Sequence, residues 1–324
     1  MRTPRSAIRL LIAAVLACAG AGVGAQTFPN RPVTIVVPYP PGGLIDLVAR
    51  LIQSKMQAEL GQSVLIENRT GAGGNVGAET VVRAAPDGYT LLLGNPSLGI
   101  SPSLYPKLAY KPLEDLAYVG QYGRVPNILV VQPSLPVKDI REFIAHLKAN
   151  PGKLNYGSPG YGTSPQLSME LLKSMTNTFI VHIPFRGSGP AMAAFFGNEI
   201  QMIFDNMPPQ VPNIKAGKVK ALAVSSLKRS NIFPDVPTLD EIGLKGFEVT
   251  SWFGLNAPAA TPRPVIERLN QALNRVTSQP EVSEALVSRG AEIVQGTPEA
   301  YHAFVKSEIA KWAPVVKRAN IVVE

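Results

Sequence analysis

Three glycine-rich segments carry the residue types of an anion cradle: Gly42-Gly43 within "PYPPGGLIDLVAR", Ser158-Pro159-Gly160-Tyr161-Gly162-Thr163-Ser164, and Gly187-Ser188-Gly189. Each separates an apolar run from an amphipathic one, which reads as a strand-to-helix turn. Glycine permits close backbone approach, and a helix N-terminus offers unbonded N–H groups with roughly half a unit of positive charge. In an open α/β sheet such turns gather at the carboxyl ends of the strands, where ligands bind. Glycines also end strands and start helices where no ligand binds. Three such turns, drawn from separate parts of the chain, favour a cleft for an anion.

The side chains near these turns are mostly neutral. Tyr39 precedes the first turn. Asn95 and Ser97 in "NPSLG", and Asp205 and Asn206 in "FDNMPP", stand at predicted strand ends, where they serve as donors and acceptors or as ordinary turn formers. Arg186 is the one arginine inside a candidate binding turn and has the two-pronged geometry that grips a carboxylate. Asp46 falls about three residues into its helix. There a carboxylate complements the dipole, whereas as a ligand it would repel an anion lacking an amine.

Catalytic patterns fail in turn. The three histidines, His146, His182 and His302, have no metal-ligand spacing with one another or with a cysteine, so no metal is expected. "YGSPG" and "GNPSLG" both miss the G-x-S-x-G elbow, and Gly217-Lys218 is followed by valine rather than Ser or Thr. "RTGAGGNVG" does not match G-x-G-x-x-G, and no cofactor is expected. His182, after an apolar strand, reads as structural. The chain has a cradle without a catalyst.

The elements that hold these turns alternate. "VTIVVPY" (33–39), "SVLIEN" (63–68) and "YTLLLGN" (89–95) read as strands, separated by helices over 44–60, ending at Gly61, and through about 84. The pattern restarts with "ILVVQP" (128–133), a helix over 137–150, a helix over 165–175, and strands "FIVHIPF", "IQMIFDN" and "VKALAVSS". This predicts two α/β halves with mainly parallel sheets covered on both faces. Crossings between the halves are expected near 124–128 and, at "VTSWFGLNAP", around 250. Domain 1 is then residues 26–126 plus 252–324 and domain 2 is 127–251. Helices over 262–277, 280–289 and 297–318 are expected to pack on the first half.

The first 25 residues are a leader. Arg2, Arg5 and Arg9 precede "LLIAAVLACAGAGVGA", which is shorter than the ~20 residues of a membrane span, and Val23-Gly24-Ala25 is a small-x-small cleavage site. An uncleaved anchor and lipidation at Cys18, within the poor lipobox "VLAC", are the alternatives. Removing 25 of 324 residues leaves 299 with no cysteine, a size at which a core suffices without disulfides. Three of the 31 basic residues lie in the leader, so the mature chain carries +5 against its 23 acidic residues. These charges are scattered singly and form no nucleic-acid footprint. A soluble protein outside the cytoplasm, in the periplasm, is expected.

Across nearly the whole mature chain, "FPNRPVTIVVPYPPGGLIDLVARLI", "VLIENRTGAGGNVGAETVVRAAPDGYTLLLGN", "NYGSPGYGTSPQLSMELL", "HIPFRGSGPAMAAFFGNEI" and "SWFGLNAPAATPRPVIERLN" resemble, in order, the Bug-type extracytoplasmic solute receptors of tripartite tricarboxylate transporters. The resemblance implies an α/β, two-domain periplasmic binding protein, type II-like, with a ligand cleft between the domains that closes on a small carboxylate, either a di- or tricarboxylate or an aromatic acid. Backbone N–H groups, hydroxyls and ordered waters hold the acid in that family. Carried over, one wall comprises Tyr39, Gly42, Gly43, Asp46, Asn95 and Ser97. The other comprises Ser158, Thr163, Ser164, Phe185, Arg186 and Asp205. The implied partners are the acid and the membrane components of such a transporter, and a monomer suits a closing receptor. A sensor of ligand occupancy and an exported enzyme on the same scaffold remain the alternatives. The family more often reads Pro-Tyr-Lys-Gly where this chain has Pro184-Phe185-Arg186-Gly187, and glycine where Asn198 stands. The doubled Pro40-Pro41 also stiffens the first turn. Phe185 in place of tyrosine is expected to favour a more apolar or aromatic acid.

Overall fold

The computed structural model describes residues 28–319 together with 321 and 323, so the leader, its cleavage site and Cys18 lie outside the described residues. The β-branched run β1 (Val33–Val37) is almost wholly buried and pairs in parallel with β2 (Val64–Asn68) and β3 (Thr90–Gly94). Helix α1 (Leu44–Leu60) covers this sheet through Ile45, Val48, Ile52 and Met56, spaced three or four residues apart so that they share one face. Each such side chain contributes about 1.5–3 kcal/mol on burial. Gly61 ends the helix in the left-handed region (φ 68°), its N–H bonded to the Gln57 carbonyl. Helix α2 (Asn75–Val82) packs Ala78 and Val81 with Val36 and Leu92 on the opposite face.

The strand after the short helices α3 (Ser97–Leu104) and α4 (Pro112–Asp115) organises the molecule. Strand β4 (Leu116–Val131) is 16 residues long and belongs to both halves of the sheet. Its first part pairs antiparallel with the returning strand β9 (Thr250–Pro258), as far as Pro126 opposite Thr250. From Asn127, opposite Asn206, it pairs antiparallel with β7 (Met202–Asn206) and β8 (Lys220–Val224). Beyond β7 lie β5 (Asn155–Ser158) and β6 (Val181–Pro184), both parallel. The strand order is β2-β1-β3-β9-β4-β7-β5-β6. Each lobe therefore has the expected parallel strands, but the centre is antiparallel, because β4 leaves the first lobe and β9 returns to it. The tiny β10 (Glu292–Ile293) pairs with β4 at Gly123 and Arg124.

Helix α5 (Ile140–Ala149) is capped by Asp139, whose carboxylate accepts the Arg141 and Glu142 N–H groups. Helices α6 (Ser164–Thr176), α7 (Ser188–Phe196) and α8 (Met207–Lys215) complete the second lobe. Of the C-terminal helices, α9 (Arg263–Ser278) and α10 (Pro280–Val287) join the first-lobe core as expected. Helix α11 (Pro298–Ala319) departs from that expectation. Its Tyr301 and Val305 pack with Val36 and Leu92, while Trp312 and Val316 pack with Leu167 and Leu172 of α6. The helix is 22 residues long, enough to cross from one lobe to the other. Buried Glu308 marks the crossing, accepting the indole N–H of Trp312 (3.0 Å) and of Trp252 in β9 (3.3 Å). Among the described residues no helix is long and apolar enough to cross a membrane.

Candidate functional site

A cavity of about 410 Å³ opens between the lobes. The first lobe contributes the segment from Tyr39 to Ile45 with Asn95 and Pro96. The second contributes Thr163 and Ser164 at the start of α6, the turn from Arg186 to Pro190, and Asp205 and Asn206 at the end of β7, while Ser251 lines the junction.

Three of the helices that begin at this cavity, α1, α6 and α7, have no side-chain cap and keep unbonded first-turn N–H groups. Helices α3 and α8 start there too, but the Ser97 N–H of α3 is bonded to Asn95 Oδ1 and prolines fill the first turn of α8. The N-cap residues are Gly43 for α1, Thr163 for α6 and Gly187 for α7, and each lines the cavity. Glycine has no side chain to offer. The Thr163 hydroxyl is spent on the Gly160 carbonyl at 2.8 Å. The first-turn N–H groups, Leu44 and Ile45 in α1, Ser164 in α6, and Ser188 and Gly189 in α7, precede the first carbonyl they could reach within their helices. Their dipoles add positive potential without a charged side chain. Gly187 sits at φ 108°, a conformation that a residue with a Cβ adopts only under strain.

Charged side chains are few. Arg186 is exposed on the wall and makes no ion pair or hydrogen bond among the described residues. Asp205 is fully buried behind the opposite end of the same turn. Its carboxylate accepts from the Gln210 amide (2.6 Å), the Asn206 N–H (2.9 Å) and the Ser188 hydroxyl (3.4 Å). Burial pushes its pKa up to about 6, although those three hydrogen bonds favour the ionised form. Burial likewise raises the Tyr39 phenol, so it stays protonated and donates to the Gly73 carbonyl (2.9 Å), with Asn95 Oδ1 at 3.4 Å. Apolar walls come from prolines and Met192.

Of the twelve residues singled out in the sequence, Tyr39, Gly42, Gly43, Asn95, Thr163, Ser164, Arg186 and Asp205 line this one cavity. Four stand elsewhere. Asp46 is buried behind the first turn, bonded to the Gly42 N–H (3.0 Å), Arg50 Nε (2.9 Å) and Asn68 Nδ2 (3.0 Å). Burial alone would raise its pKa, but those partners together hold the carboxyl below its usual range. The carboxylate therefore serves the turn. Ser97 donates its N–H to Asn95 Oδ1 (3.1 Å) and is buried in α3. Ser158 is fully buried beneath the 159–163 loop, with its hydroxyl on His182. Phe185 packs into the second-lobe core with Ile183 and Ile200 and does not line the cavity, so an aromatic wall facing the ligand is not formed there. Sequence reasoning overlooked Met192, Gln210, Asn213 and Ser251. Gln210 and Asn213 sit on α8, whose opening prolines read as a turn but are compatible with a first helical turn. Ser251 carried no signal.

Residues 48–321 match the family described as "Tripartite tricarboxylate transporter family receptor". The chain belongs to this receptor family. BugT of Bordetella pertussis (strain Tohama I) is 39% identical to it over 314 residues, covering 96% of each chain. An R. palustris protein solved with adipate superposes with a TM-score of 0.86 at 35% identity, covering 91% of this chain and 99% of its own. MatC from Rhodopseudomonas palustris with bound malate superposes at 0.83 and 38% identity, covering 89% and 100%. The fold is the two-domain solute-binding fold of these receptors. Among the described residues, no group of three or more His, Cys, Asp or Glu is arranged to hold a metal ion.

Proposed function

We propose that this family member is an exported, periplasmic receptor that captures a small carboxylate by lobe closure and delivers it unchanged to the membrane components of a tripartite tricarboxylate transporter. One observation carries the reading: three helix N-termini without side-chain caps, drawn from both lobes, open onto one cavity. Neutral N–H donors bind a carboxylate with less desolvation than a buried ion pair demands. The cavity volume suits a small acid, and adipate and malate are the acids bound by the two structural relatives. The proposed contacts are the N–H groups of α1, α6 and α7, the Asn95 amide, and Arg186 at the rim. Tyr39, Thr163 and Ser188 shape the wall, with their hydroxyl hydrogens given to Gly73, Gly160 and Asp205.

The proposed domains are 26–126 with 252–324, and 127–251. The change of β4 partner between Pro126 and Asn127, with Thr250 opposite, supports a hinge there. The protein acts as a monomer, its leader removed after Ala25. Calorimetry of the mature protein against mono-, di-, tri- and aromatic carboxylates tests the reading, with mass spectrometry of the acid after incubation. Saturable binding of an unaltered acid is expected. A folded protein that binds none of them, or that converts the bound acid, overturns it.

A further inference from the structure

His182 lies outside the cavity yet sits at the base of the wall that carries two of the three helix starts. Its Nε2 is 2.7 Å from the hydroxyl of fully buried Ser158. That hydroxyl also lies 3.2 Å from the Gly160 N–H and 3.2 Å from the Gly160 carbonyl. A hydroxyl has one hydrogen to give. The Gly160 N–H can only donate to it, and the Gly160 carbonyl already takes the Thr163 hydroxyl at 2.8 Å. The 2.7 Å contact, the shortest the hydroxyl makes, assigns the Ser158 hydrogen to His182 in the tautomer whose Nε2 is unprotonated. Burial, with Lys173 nearby, lowers the pKa of His182 to about 4, so the ring is neutral at ordinary pH.

The ring is fixed in this orientation. It stacks on Tyr156, its register neighbour on β5, at 4.6 Å and 17°, and meets the edge of Tyr161 at 5.3 Å and 88°. Tyr156 is anchored in turn by Glu170 (2.5 Å), which pairs with Lys173 (2.8 Å). On the cavity side, Ser158 and Pro159 hold the second turn through their carbonyls, which accept the Phe185 N–H (3.0 Å) and the Gly187 N–H (3.0 Å). Arg186 is carried between those two anchored residues. The conformation of the 158–160 corner thus fixes both the approach to α6 and the turn into α7.

We propose that His182 is a positioning residue for ligand capture, acting through the Ser158 hydroxyl to hold both second-lobe turns in register with the cavity; this rests on the receptor reading above. His182→Phe keeps a ring against Tyr156 but removes the acceptor. His182→Gln supplies an unprotonatable carbonyl acceptor at similar reach. Ser158→Ala removes the hydroxyl itself.

Hydrogen exchange on the unliganded protein tests the proposal without reference to any acid. The Gly160, Phe185 and Gly187 amides should exchange about tenfold faster in His182→Phe and Ser158→Ala, the scale of one lost buried hydrogen bond, and within about threefold of wild type in His182→Gln. Calorimetry with adipate and malate should follow the same order, and the double variant should bind no worse than either single one. Unchanged exchange at these amides in both His182→Phe and Ser158→Ala overturns the proposal. So does failure of His182→Gln to restore slow exchange, or affinity losses that add in the double variant. A wild-type protein that binds no acid overturns the receptor reading instead, and the exchange result still decides the positioning role.

Discussion

Asp205 offers the most quantitative test of the cavity's electrostatics. Burial raises its carboxyl from 3.8 to about 6, while Gln210, the Asn206 N–H and Ser188 act the other way. A rise of about 2 units corresponds to about 3 kcal/mol against the ionised form. Because the folded pKa lies above the unfolded one, the native protein holds the extra proton between about pH 4 and pH 6. The penalty is therefore full above about pH 6 and disappears as pH falls towards 4. Asp205→Asn removes the titration and sets an amide NH2 against one of the donors that now share the carboxylate, at a cost of about 1–3 kcal/mol. Near neutral pH these two effects are of similar size and opposite sign, so the variant should be close to wild type in stability. The informative quantity is the difference between the two in urea denaturation, because other titrating groups largely cancel in it. That difference should move by roughly 2 kcal/mol in favour of wild type between about pH 7.5 and pH 4.5. A difference that stays flat across this range would refute the reasoning, since it would mean that the carboxyl is not desolvated in the fold.

Two further perturbations separate the wall from the scaffold. Gly43 has an extended backbone (φ −76°, ψ 170°), and a Cβ there would meet only the Pro40 carbonyl at 3.8 Å. Gly43→Val should therefore cost under about 1 kcal/mol in a denaturant melt while lowering carboxylate affinity at least tenfold by calorimetry, and unimpaired binding would remove the first turn from the site. Glu308→Ala strands the indole N–H groups of both tryptophans in the chain and should cost about 3 kcal/mol or more, read by urea denaturation with tryptophan emission as the signal; a loss below about 1 kcal/mol would show that the bridge between β9 and α11 contributes little.

Much of the fold was legible because local signals and tertiary context agree. Helix α1 is apolar at helical spacing and stops at a glycine that the structure places in the left-handed region. Asn198, where the resemblance leads to an expectation of glycine, occupies φ 63°, a conformation asparagine tolerates better than most residues. The errors fall where neighbours override sequence. The sequence reads a strand only over 128–133, yet β4 begins at Leu116 and runs through Gly120, Gly123 and Pro126, because β9 pairs along that stretch and bulges absorb the irregular register. "NPSLG" reads as a turn from its residue types, but Asn95 accepts the Ser97 N–H and launches α3. The apolar face of α11 predicts burial, although nothing along it says that Trp312 packs on the other lobe. The candidate site was legible to the extent that it is built from glycine turns. Phe185 was misplaced because its identity says nothing about which side of the wall its ring takes. Met192 and Ser251 reach the cavity through packing that no local pattern encodes.

Where an acid sits decides most directly whether the three helix starts form its binding site. A crystal structure of the mature protein, grown with the tightest acid from the calorimetric panel, should show carboxylate oxygens within about 2.7–3.2 Å of the Leu44 or Ile45 N–H on one side and of the Ser164, Ser188 or Gly189 N–H on the other. An acid bound between closed lobes, yet touching none of the three helix starts, would contradict it.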